Sequence, residues 1–352
     1  MNQPSTPAAA PFDIGGLENY LKPRLPEFRG PIHVERFKGG QSNPTFLLST
    51  AADAKYVLRK KPEGVLVPSA HAVDREFRVI KALQDSGVPV PRAVCLCEDT
   101  SVIGTIFCVM DYVPGRIFWD PALPQLSRTD RTALYDDMNR VVAALHRVAP
   151  DSVGLGDFGR SGGYLQRQIA RWGGQYTNSR AENPIEALDH LIEWLPSRIP
   201  AEQSVSIVHG DLRVDNMIIH PTEPRVAAVL DWEISTLGDP LADLSYHMIT
   251  WYLRADEFRG MAGADLASLG IPSADAYLAR YCDRVGRPRV TTEDWDFFTV
   301  YNLFRLASIL HGINRRAANG TAADPNARDL GPKAHLIADI GWRWARERLG
   351  AR

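Results

Sequence analysis

The stretch IVHGDLRVDN, residues 207–216, puts a histidine, two aspartates and an asparagine directly after two β-branched apolar residues. Residues such as Ile207 and Val208 are typical of a buried strand. The polar side chains therefore follow the end of that strand. On its own, an aspartate after a glycine is more often a turn or cap residue than a catalytic one. The meaning of Asp211 thus depends on what else the chain brings to this place.

A second apolar segment returns the chain to the same place. After Asn216 come MIIH, a turn at PTEP, and VAAVLD, which ends at Asp231. This hairpin would fold Asn216 and Asp231 toward each other. An amide oxygen and a carboxylate make a partial shell for a hard divalent ion whose other ligands are waters and phosphate oxygens. Asp211 would lie near that ion and remain available to a substrate hydroxyl. The ordered set is much more specific than any of its members.

Composition and charge limit the possible functions. The 352 residues are 45% hydrophobic and 23% charged, as in a soluble globular protein with one large core or two joined lobes. A formal net charge of −2 provides no global basic field, so we expect no nucleic-acid and no membrane partner. Four irregularly spaced cysteines indicate a reduced, cytoplasmic setting. The sequence lacks a signal-peptide pattern and any run near the roughly 18 apolar residues of a spanning helix.

The periodicity of the chain changes from strand-like to helical. HVERFKG, TFLLST and KYVLRKK are short alternating or β-branched runs, which predict an antiparallel meander. A helix is expected next, because apolar residues recur at helical spacing before a glycine, at Val73, Phe77, Ile80 and Leu83. AVCLCED and TIFCVMDY predict two further strands. Beyond VPGR, helices are predicted around 127–149, 162–178, 184–195, 240–253, 273–286, 293–315 and 332–348.

These motifs resemble those of the aminoglycoside phosphotransferase and choline kinase family, distant relatives of the protein kinases. HGDLRVDN is similar in spacing and order to the protein-kinase catalytic loop H-R-D-L-x-x-x-N, and the similarity runs from about residue 30 to the C-terminus. It implies an α+β, bilobal, protein-kinase-like fold. Residues 1–29 would form a tail and a short helix. Residues 30–113 would form a small nucleotide-binding lobe with a five-stranded antiparallel sheet and one helix. Residues 114–352 would form a larger, mostly helical catalytic lobe with a β-hairpin at the active site.

The resemblance also implies roles in phosphoryl transfer from ATP. Asp211 would orient the acceptor hydroxyl and take its proton. Asn216 and Asp231 would hold Mg²⁺ on the nucleotide phosphates. Arg213 stands where many protein kinases have a lysine directed at the transferred phosphate. His209 would brace the loop rather than act as a base.

The first lobe offers candidates for the rest of the nucleotide site. FKGGQSNPTF resembles the family's nucleotide loop, in which glycines allow close backbone approach and polar side chains donate hydrogen bonds. The candidates in this loop are Gly39, Gly40, Ser42 and Asn43. Glycine pairs are also common in ordinary turns, so this signal is weak alone. VMDYVPG would be the connector that meets adenine. Met110 and Tyr112 would contact adenine or belong to the core, and the sequence does not choose between these positions.

A cation and its carboxylate partner are expected beside the phosphates. Arg59 stands where protein kinases have the lysine of their third strand, and choline-kinase-like relatives are similar in using arginine there. Strand alternation puts Lys61 on the same face as Arg59, so Lys61 is the second candidate. Glu76 on the following helix would pair with the cation. The alternative for Glu76 is a solvated helix face.

Departures from the protein-kinase pattern indicate a small-molecule kinase. Gly210 replaces the arginine that reads activation-loop phosphorylation in protein kinases. Only seven residues separate Asp231 from Asp239, which leaves no room for such a loop. Asp239 followed by Pro240 predicts a helix N-cap. Asp243 resembles the residue that braces the catalytic loop in this superfamily.

The acceptor is suggested by the segment from residue 304, FRLASILHGINRRAANGTAADPNA. It resembles the branch found as stand-alone bacterial proteins and as the kinase-like domain fused to acyl-CoA dehydrogenases. That branch implies a small-molecule hydroxyl acceptor that is a hydroxyacyl-CoA or is lipid-derived. Arg305, Arg315 and Arg316 would then meet CoA phosphates, with a solvated basic face as the alternative for the last two.

Two other functions remain open. An aminoglycoside or amino-alcohol kinase would need an acidic cleft for its cationic acceptor. The acids of the helical lobe that are available for such a cleft are Glu193, Asp265, Asp275, Asp283 and Asp294. A non-catalytic nucleotide-binding protein would normally lack part of the catalytic set, which is complete here. Four tryptophans are expected either in the acceptor pocket or in the core: Trp172, Trp194, Trp232 and Trp251. The sequence predicts no oligomeric state.

Overall fold

A five-stranded antiparallel sheet with a helix against each face forms the N-terminal lobe. The structure, a computed structural model, describes residues 12–25, 28–37, 43–62, 72–160, 162–180, 183–201, 204–320 and 327–352. The strands are β1 (Ile32–Arg36), β2 (Thr45–Thr50), β3 (Lys55–Lys60), β4 (Ala93–Cys97) and β5 (Phe107–Asp111), in spatial order β1-β2-β3-β5-β4. Helix α1 (Ile14–Leu21) precedes the sheet, and α2 (Val73–Leu83) follows β3. The predicted five strands with one helix after the third are confirmed.

Strand β5 shows how the sheet separates two cores. Its first four residues are all buried. Phe107 and Val109 pack with α1, whereas Cys108 and Met110 pack with α2 and the helical lobe. Successive side chains of a strand point to opposite faces, so one strand contributes to both cores. Helix α2 therefore belongs to a core that continues into the C-terminal lobe.

Helices make up most of the C-terminal lobe. They are α3 (Arg128–Arg147), α4 (Tyr164–Thr177), α5 (Glu186–Trp194), α6 (Pro240–His247), α7 (Ala255–Phe258), α8 (Leu266–Leu269), α9 (Ala274–Val285), α10 (Thr292–Ala318), α11 (Ala327–Leu330) and α12 (Lys333–Leu349). Every residue of α10 from Trp295 to Ser308 is buried. A helix that is buried on all sides lies in the centre of its domain, and α10 accordingly packs against α4, α6 and α12.

Side-chain caps mark where several of these helices begin. Ser127, Ser273 and Thr291 each accept a hydrogen bond from the backbone N–H three residues later. At α6, Asp239 is the cap and Pro240 occupies the first helical position, as predicted. Each cap satisfies a backbone donor that has no partner within the helix, which stabilises the helix by about 1 kcal/mol.

For two predicted helices, the backbone conformation explains why an observed end differs from the predicted one. The helix expected over 162–178 begins only at Tyr164, because Gly162 and Gly163 have φ values of 74° and 60°. These values lie in the left-handed region and cannot continue a right-handed helix. The helix expected over 240–253 is α-helical only to His247 and then tightens into a 3₁₀ turn, Met248–Trp251.

Four short strands interrupt the helices and hold the polar stretch. Strand β7 (Met217–Ile219) pairs with β8 (Val226–Val229), which is the predicted hairpin. Strand β6 (Ser206–Val208) pairs with β9 (Thr236–Gly238), a pairing that the sequence analysis did not predict. The segment around Asp231 is therefore held at both ends. The four cysteines are buried free thiols. Among the described residues, no helix is long and apolar enough to cross a membrane.

Candidate active site

Asp243, on helix α6, braces the predicted catalytic loop, residues 209–216. Its two carboxylate oxygens accept hydrogen bonds from the backbone N–H groups of His209 and Gly210, both at 2.8 Å. The Nε2 atom of His146 on α3 lies 3.2 Å from the same carboxylate. Burial tends to raise the pKa of Asp243, but the hydrogen bond and charge of His146 outweigh it and lower that pKa below its ordinary value. Asp243 is therefore an ionised anchor, in the supporting position that the sequence predicts.

His209 ties the loop to the end of strand β8. Its Nε2 atom donates to the backbone oxygen of Leu230 at 2.7 Å, and its Nδ1 atom accepts from the backbone N–H of Asp211 at 3.1 Å. Both ring nitrogens are used in these contacts, which agrees with a bracing residue rather than a base. Gly210, between His209 and Asp211, has a φ of 85°, a backbone conformation that residues other than glycine rarely adopt.

Asp211 projects from this braced loop with 24% of its side chain exposed. Its carboxylate lies 3.2 Å from Nε of Arg213 and accepts a hydrogen bond from Nδ2 of Asn216 at 3.1 Å. The hydroxyl of Tyr246 on α6 also hydrogen-bonds to it. Burial and the charge of Asp211 raise the pKa of Tyr246 well above its ordinary value, so the phenol keeps its proton and donates. Three neighbours thus orient a carboxylate that remains accessible to a substrate.

Asn216 and Asp231 flank the paired part of the hairpin, Asn216 directly before β7 and Asp231 two residues after β8. Met217 is opposite Val229, and the backbone N–H of Leu230 donates to the backbone oxygen of Asn216 at 2.8 Å. Asp231 follows with a φ of 67°, which is rare for a residue other than glycine and reorients the chain after the strand. Since Nδ2 of Asn216 donates to Asp211, its amide oxygen is the atom suited to a cation.

Arg59 on β3 lies within ion-pair distance of three carboxylates from both lobes. Its Nη1 atom lies 2.5 Å from Oε1 of Glu76, and its Nη2 atom lies 2.8 Å from Oδ1 of Asp231 and 3.5 Å from Oε2 of Glu233. Burial tends to lower the pKa of Arg59, but the charges of Glu76 and Asp231 raise it above its ordinary value. Burial raises the pKa of Glu76 to about 7. Asp231 and Glu233 still outnumber the one guanidinium, and this excess of carboxylates favours binding of a cation.

Unpaired polar atoms around Arg59 also indicate that a ligand binds here. Among the described residues, the buried atoms without a hydrogen-bond partner include Oδ1 of Asn43, Nε of Arg59 and Oε2 of Glu76. Buried polar atoms of this kind are rare in folded proteins unless a ligand or a catalytic role accounts for them. The described residues contain no group of three or more histidine, cysteine or acidic side chains placed to hold a metal. A hard cation here would thus take Asn216 and Asp231 and complete its shell with phosphate and water oxygens, and the donor set fits Mg²⁺.

The residues predicted to bind the nucleotide lie in different environments. Glu76 is buried and pairs with Arg59, so the solvated-face alternative is wrong. Lys61 pairs instead with Asp74 at 3.3 Å, away from the carboxylate cluster. Met110 lies in the core, and Tyr112 is half-buried with Nζ of Lys55 6.0 Å from its ring centre. Gly39, Gly40 and Ser42 lie outside the described residues.

Glu233 is a member of the cluster that sequence reasoning missed. Its Oε2 atom accepts a hydrogen bond from Nδ2 of Asn43 at 3.3 Å and also lies near Arg59. It thereby joins the edge of the nucleotide loop to the catalytic lobe. Its position two residues after Asp231 could have marked it as a candidate site residue in the sequence.

The sequence profile of the phosphotransferase enzyme family matches residues 33–291, which hold all of these groups. The chain belongs to this family. It is 43% identical to mouse acyl-CoA dehydrogenase family member 10 over 332 residues, which cover 94% of this chain and 31% of that protein. The chain thus spans about a third of the length of that curated relative.

Solved structures place this phosphotransferase in the bilobal kinase-like fold. A candidate aminoglycoside phosphotransferase from Ralstonia eutropha is 48% identical, with a TM-score of 0.87, and the match covers 96% of this chain and 99% of that one. A choline/ethanolamine kinase family protein from Mesorhizobium loti is 15% identical with a TM-score of 0.59, over 94% of this chain and 98% of that one. The second likeness shows the fold alone. The predicted family and fold class are confirmed.

Beside the catalytic loop of the phosphotransferase lies a cavity with a mainly apolar and aromatic lining. Its charged lining residues are Arg213, Asp215 and Arg259. The side chain of Asp215 is only 5% exposed, and its Oδ2 atom lies 3.3 Å from Nη2 of Arg213 and 3.1 Å from Nη1 of Arg259. The aromatic lining residues are Trp119, Tyr135, Tyr246, Trp251 and Phe258. Sequence reasoning missed Asp215, although it lies inside the opening stretch, and no local motif points to Trp119 or Arg259.

Arg305 is not a surface residue that could meet CoA phosphates, and that prediction is wrong. It is buried in α10, where every neighbour in sequence is also buried. Its Nη2 atom donates to the backbone oxygen of Gly210, and its guanidinium carbon lies 4.4 Å from the ring centre of Tyr246. Arg305 thus supports the catalytic loop from behind. Arg315 and Arg316, near the end of the same helix, are exposed.

The predicted acids and tryptophans divide between surface, core and cavity. Glu193, Asp265, Asp275, Asp283 and Asp294 are absent from the lining of the cavity beside Arg213. Asp265 caps α8, and Asp283 pairs with Arg289. Trp251 lines the cavity, Trp232 is fully buried, and Trp172 and Trp194 pack against the core. None of these five acids therefore contributes a carboxylate to that cavity.

Proposed function

We propose that the protein transfers the γ-phosphoryl group of ATP to a hydroxyl of a hydroxyacyl-CoA or a related lipid-derived acceptor. The observation that carries the acceptor class is the cavity lining, which is mainly apolar and whose carboxylate, Asp215, is already paired with two arginines. A cationic amino sugar would need available carboxylates, whereas an acyl chain needs apolar surface. The similarity to an acyl-CoA dehydrogenase family member supports the same class.

In this proposal the nucleotide binds between the lobes. Arg59, anchored by Glu76, faces the phosphates. The loop residues that would cover the phosphates are Gly39, Gly40, Ser42 and Asn43. Because Met110 lies in the core, we assign the adenine contacts to the connector backbone and Tyr112. Mg²⁺, held by Asn216 and Asp231 together with phosphate oxygens, would neutralise charge on the phosphates.

Asp211 and Arg213 act on the acceptor side in this proposal. Asp211 orients the acceptor hydroxyl and takes its proton as the hydroxyl oxygen forms a bond to the γ-phosphorus. The bond from that phosphorus to the bridging oxygen breaks, and ADP leaves. Arg213 neutralises negative charge on the transferred group. The brace by Asp243 and Arg305 keeps both side chains in place, so little reorganisation is needed during the reaction.

The test is transfer of labelled phosphate from Mg-ATP to a panel of hydroxyacyl-CoAs, aminoglycosides and choline-like alcohols. The Asp211→Ala variant is the control. The proposal is supported if the wild-type protein labels a hydroxyacyl-CoA and the Asp211→Ala variant does not.

Two results would contradict it in different ways. Label confined to an amino sugar or amino alcohol would keep the reaction and overturn the acceptor class. Binding of Mg-ATP without transfer to any member of the panel would favour a nucleotide-binding protein that is not catalytic.

A further inference from the structure

Arg259 lines the cavity beside Arg213, which the proposed function assigns to the acceptor and which is called the acceptor cavity below. A carboxylate and two aromatic rings hold its guanidinium there. Its Nη1 atom lies 3.1 Å from Oδ2 of Asp215, and its guanidinium carbon lies 5.2 Å from the ring centre of Trp119 and 5.9 Å from that of Phe258. Its φ of 44° lies in the left-handed region, which is unfavourable for a residue with a Cβ atom. Even so, 36% of the side chain is exposed. The fold thus presents a guanidinium to the cavity mouth in spite of a backbone cost.

Trp119 supplies an apolar surface beside that guanidinium. Its side chain lines the cavity and yet the residue is 63% exposed. Large exposed apolar side chains next to a cavity are typical of surfaces that a ligand covers. An indole ring next to a guanidinium suits a ligand that is apolar along one side and accepts hydrogen bonds at one point.

The position of Arg259 relative to the catalytic carboxylate limits what it would contact. Arg213 pairs with both Asp211 and Asp215, and Asp215 pairs with Arg259. Only one arginine and one aspartate therefore separate Arg259 from the base. An acceptor whose hydroxyl meets Asp211 would place a group a few carbons away at Arg259. Two guanidiniums share the one carboxylate of Asp215, so Arg259 keeps donors for an additional oxygen.

Resting on the proposed function, we infer that Arg259 binds the carbonyl oxygen of the acceptor and that Trp119 covers the chain next to it. The phosphotransferase would then select hydroxyls that lie a few carbons from a carbonyl. Asp215 is a positioning residue that aims the guanidinium. A thioester and a free carboxylate both offer such an oxygen, so both sources are included in the test.

The test compares three acceptors of matched chain length: a hydroxyacyl-CoA, the free hydroxy acid and the corresponding alcohol without a carbonyl. We expect wild-type kcat/KM to favour a carbonyl acceptor over the plain alcohol by about 10- to 100-fold, as for a hydrogen bond to a charged group. Arg259→Met should remove that preference by lowering kcat/KM for the carbonyl acceptors more than for the plain alcohol. Whichever carbonyl acceptor loses more identifies the source. Arg289→Met, which removes another exposed arginine paired with an aspartate, should leave the preference intact.

Each contrary outcome has a distinct meaning. Transfer to carbonyl acceptors with an unchanged preference in Arg259→Met would overturn this inference and keep the proposed function. An equal loss for all three acceptors would show that Arg259 only shapes the cavity. Transfer to none of the three by the wild-type protein would overturn the proposed function and this inference together.

Discussion

The Nδ2 atom of Asn216 donates hydrogen bonds to Asp211 twice, to Oδ2 at 3.1 Å and to the backbone oxygen at 2.8 Å. The carboxylate that we propose as the base and the amide that we propose as a metal ligand therefore form one hydrogen-bonded unit. Asn216 also accepts from the backbone of Leu230, next to Asp231, so the unit extends to the second proposed ligand. The spacing of these residues in the sequence thus corresponds to a physical contact.

Replacing Asp211 should separate chemistry from nucleotide binding. Asp211→Ala removes the proposed base but none of the groups that face the nucleotide, so kcat should fall by about 10²- to 10⁴-fold. The dissociation constant of Mg-ATP should stay within about threefold of the wild-type value. Rapid-quench kinetics and calorimetry measure the two quantities. Full activity in this variant would show that another group takes the proton.

Asp231→Ala should remove the benefit of magnesium. In the wild-type protein, ATP should bind much more tightly with Mg²⁺ than with a chelator, because Asn216 and Asp231 would hold the cation and its charge would offset that of the phosphates. In the variant, the two dissociation constants should become nearly equal. Calorimetric titration of each protein with and without the metal gives all four values. A magnesium effect that survives the substitution would place the metal elsewhere.

Arg59 and Lys61 provide a matched pair of substitutions. Arg59→Met leaves Glu76, which is buried, without its cation, and removing one partner of a buried ion pair costs about 3 to 5 kcal/mol of unfolding free energy. Lys61→Met breaks the more exposed pair with Asp74, which contributes about 0 to 1 kcal/mol. Urea unfolding of both variants measures the difference. Equal losses would contradict the assignment of Arg59 as the buried cation of the site.

Arg305 should affect turnover and stability rather than CoA affinity. Arg305→Met removes a charged donor to the Gly210 carbonyl, so we expect a loss of about 1.5 to 3 kcal/mol in unfolding free energy and a lower kcat. KM for the acceptor should change little. Arg315→Met, which alters an exposed residue of the same helix, is the control. A raised KM with normal kcat and stability would restore the CoA-binding interpretation of Arg305.

His247 should make the protein less stable in mild acid. Burial lowers the pKa of His247 from 6.5 to about 4, despite the opposing charge of Asp243, and its Nε2 atom contacts the Tyr277 hydroxyl at 2.8 Å. The unfolded chain therefore binds this proton more tightly. As the pH falls from 6.5 toward 4, stability should fall by up to about 1.4 kcal/mol per pH unit from this group. Above pH 6.5 the group should add no pH dependence.

The measurement for His247 is urea unfolding at pH 7.5, 6.5 and 5.5. His247→Gln should flatten the curve below pH 6.5, whereas His33→Gln, at an exposed histidine, is the control. An unchanged slope in His247→Gln would show that the acid sensitivity arises from other groups.

Sequence reasoning was effective where the function depends on residues close together in the chain. The catalytic stretch and its hairpin span only about two dozen residues from His209 to Asp231, so local strand pairing brings their polar groups together. The helical spacing in α2 likewise predicted a buried face. The hairpin and this face follow from alternation in strands and periodicity in helices, whereas the pairing of Glu76 with Arg59 was implied by the family resemblance.

The tertiary structure decided the contacts between residues that are distant in the chain. Trp119 and Arg259 come together although 140 positions separate them, and Arg305 reaches Gly210 from 95 positions away. Sequence periodicity cannot predict such pairs, because their proximity depends on how whole helices pack against one another. The sequence by itself determined the family and the bilobal fold class. Packing of the helical lobe decided that Arg305 is a buried support and that Arg213 and Arg259 line the cavity, since burial depends on every neighbouring element at once.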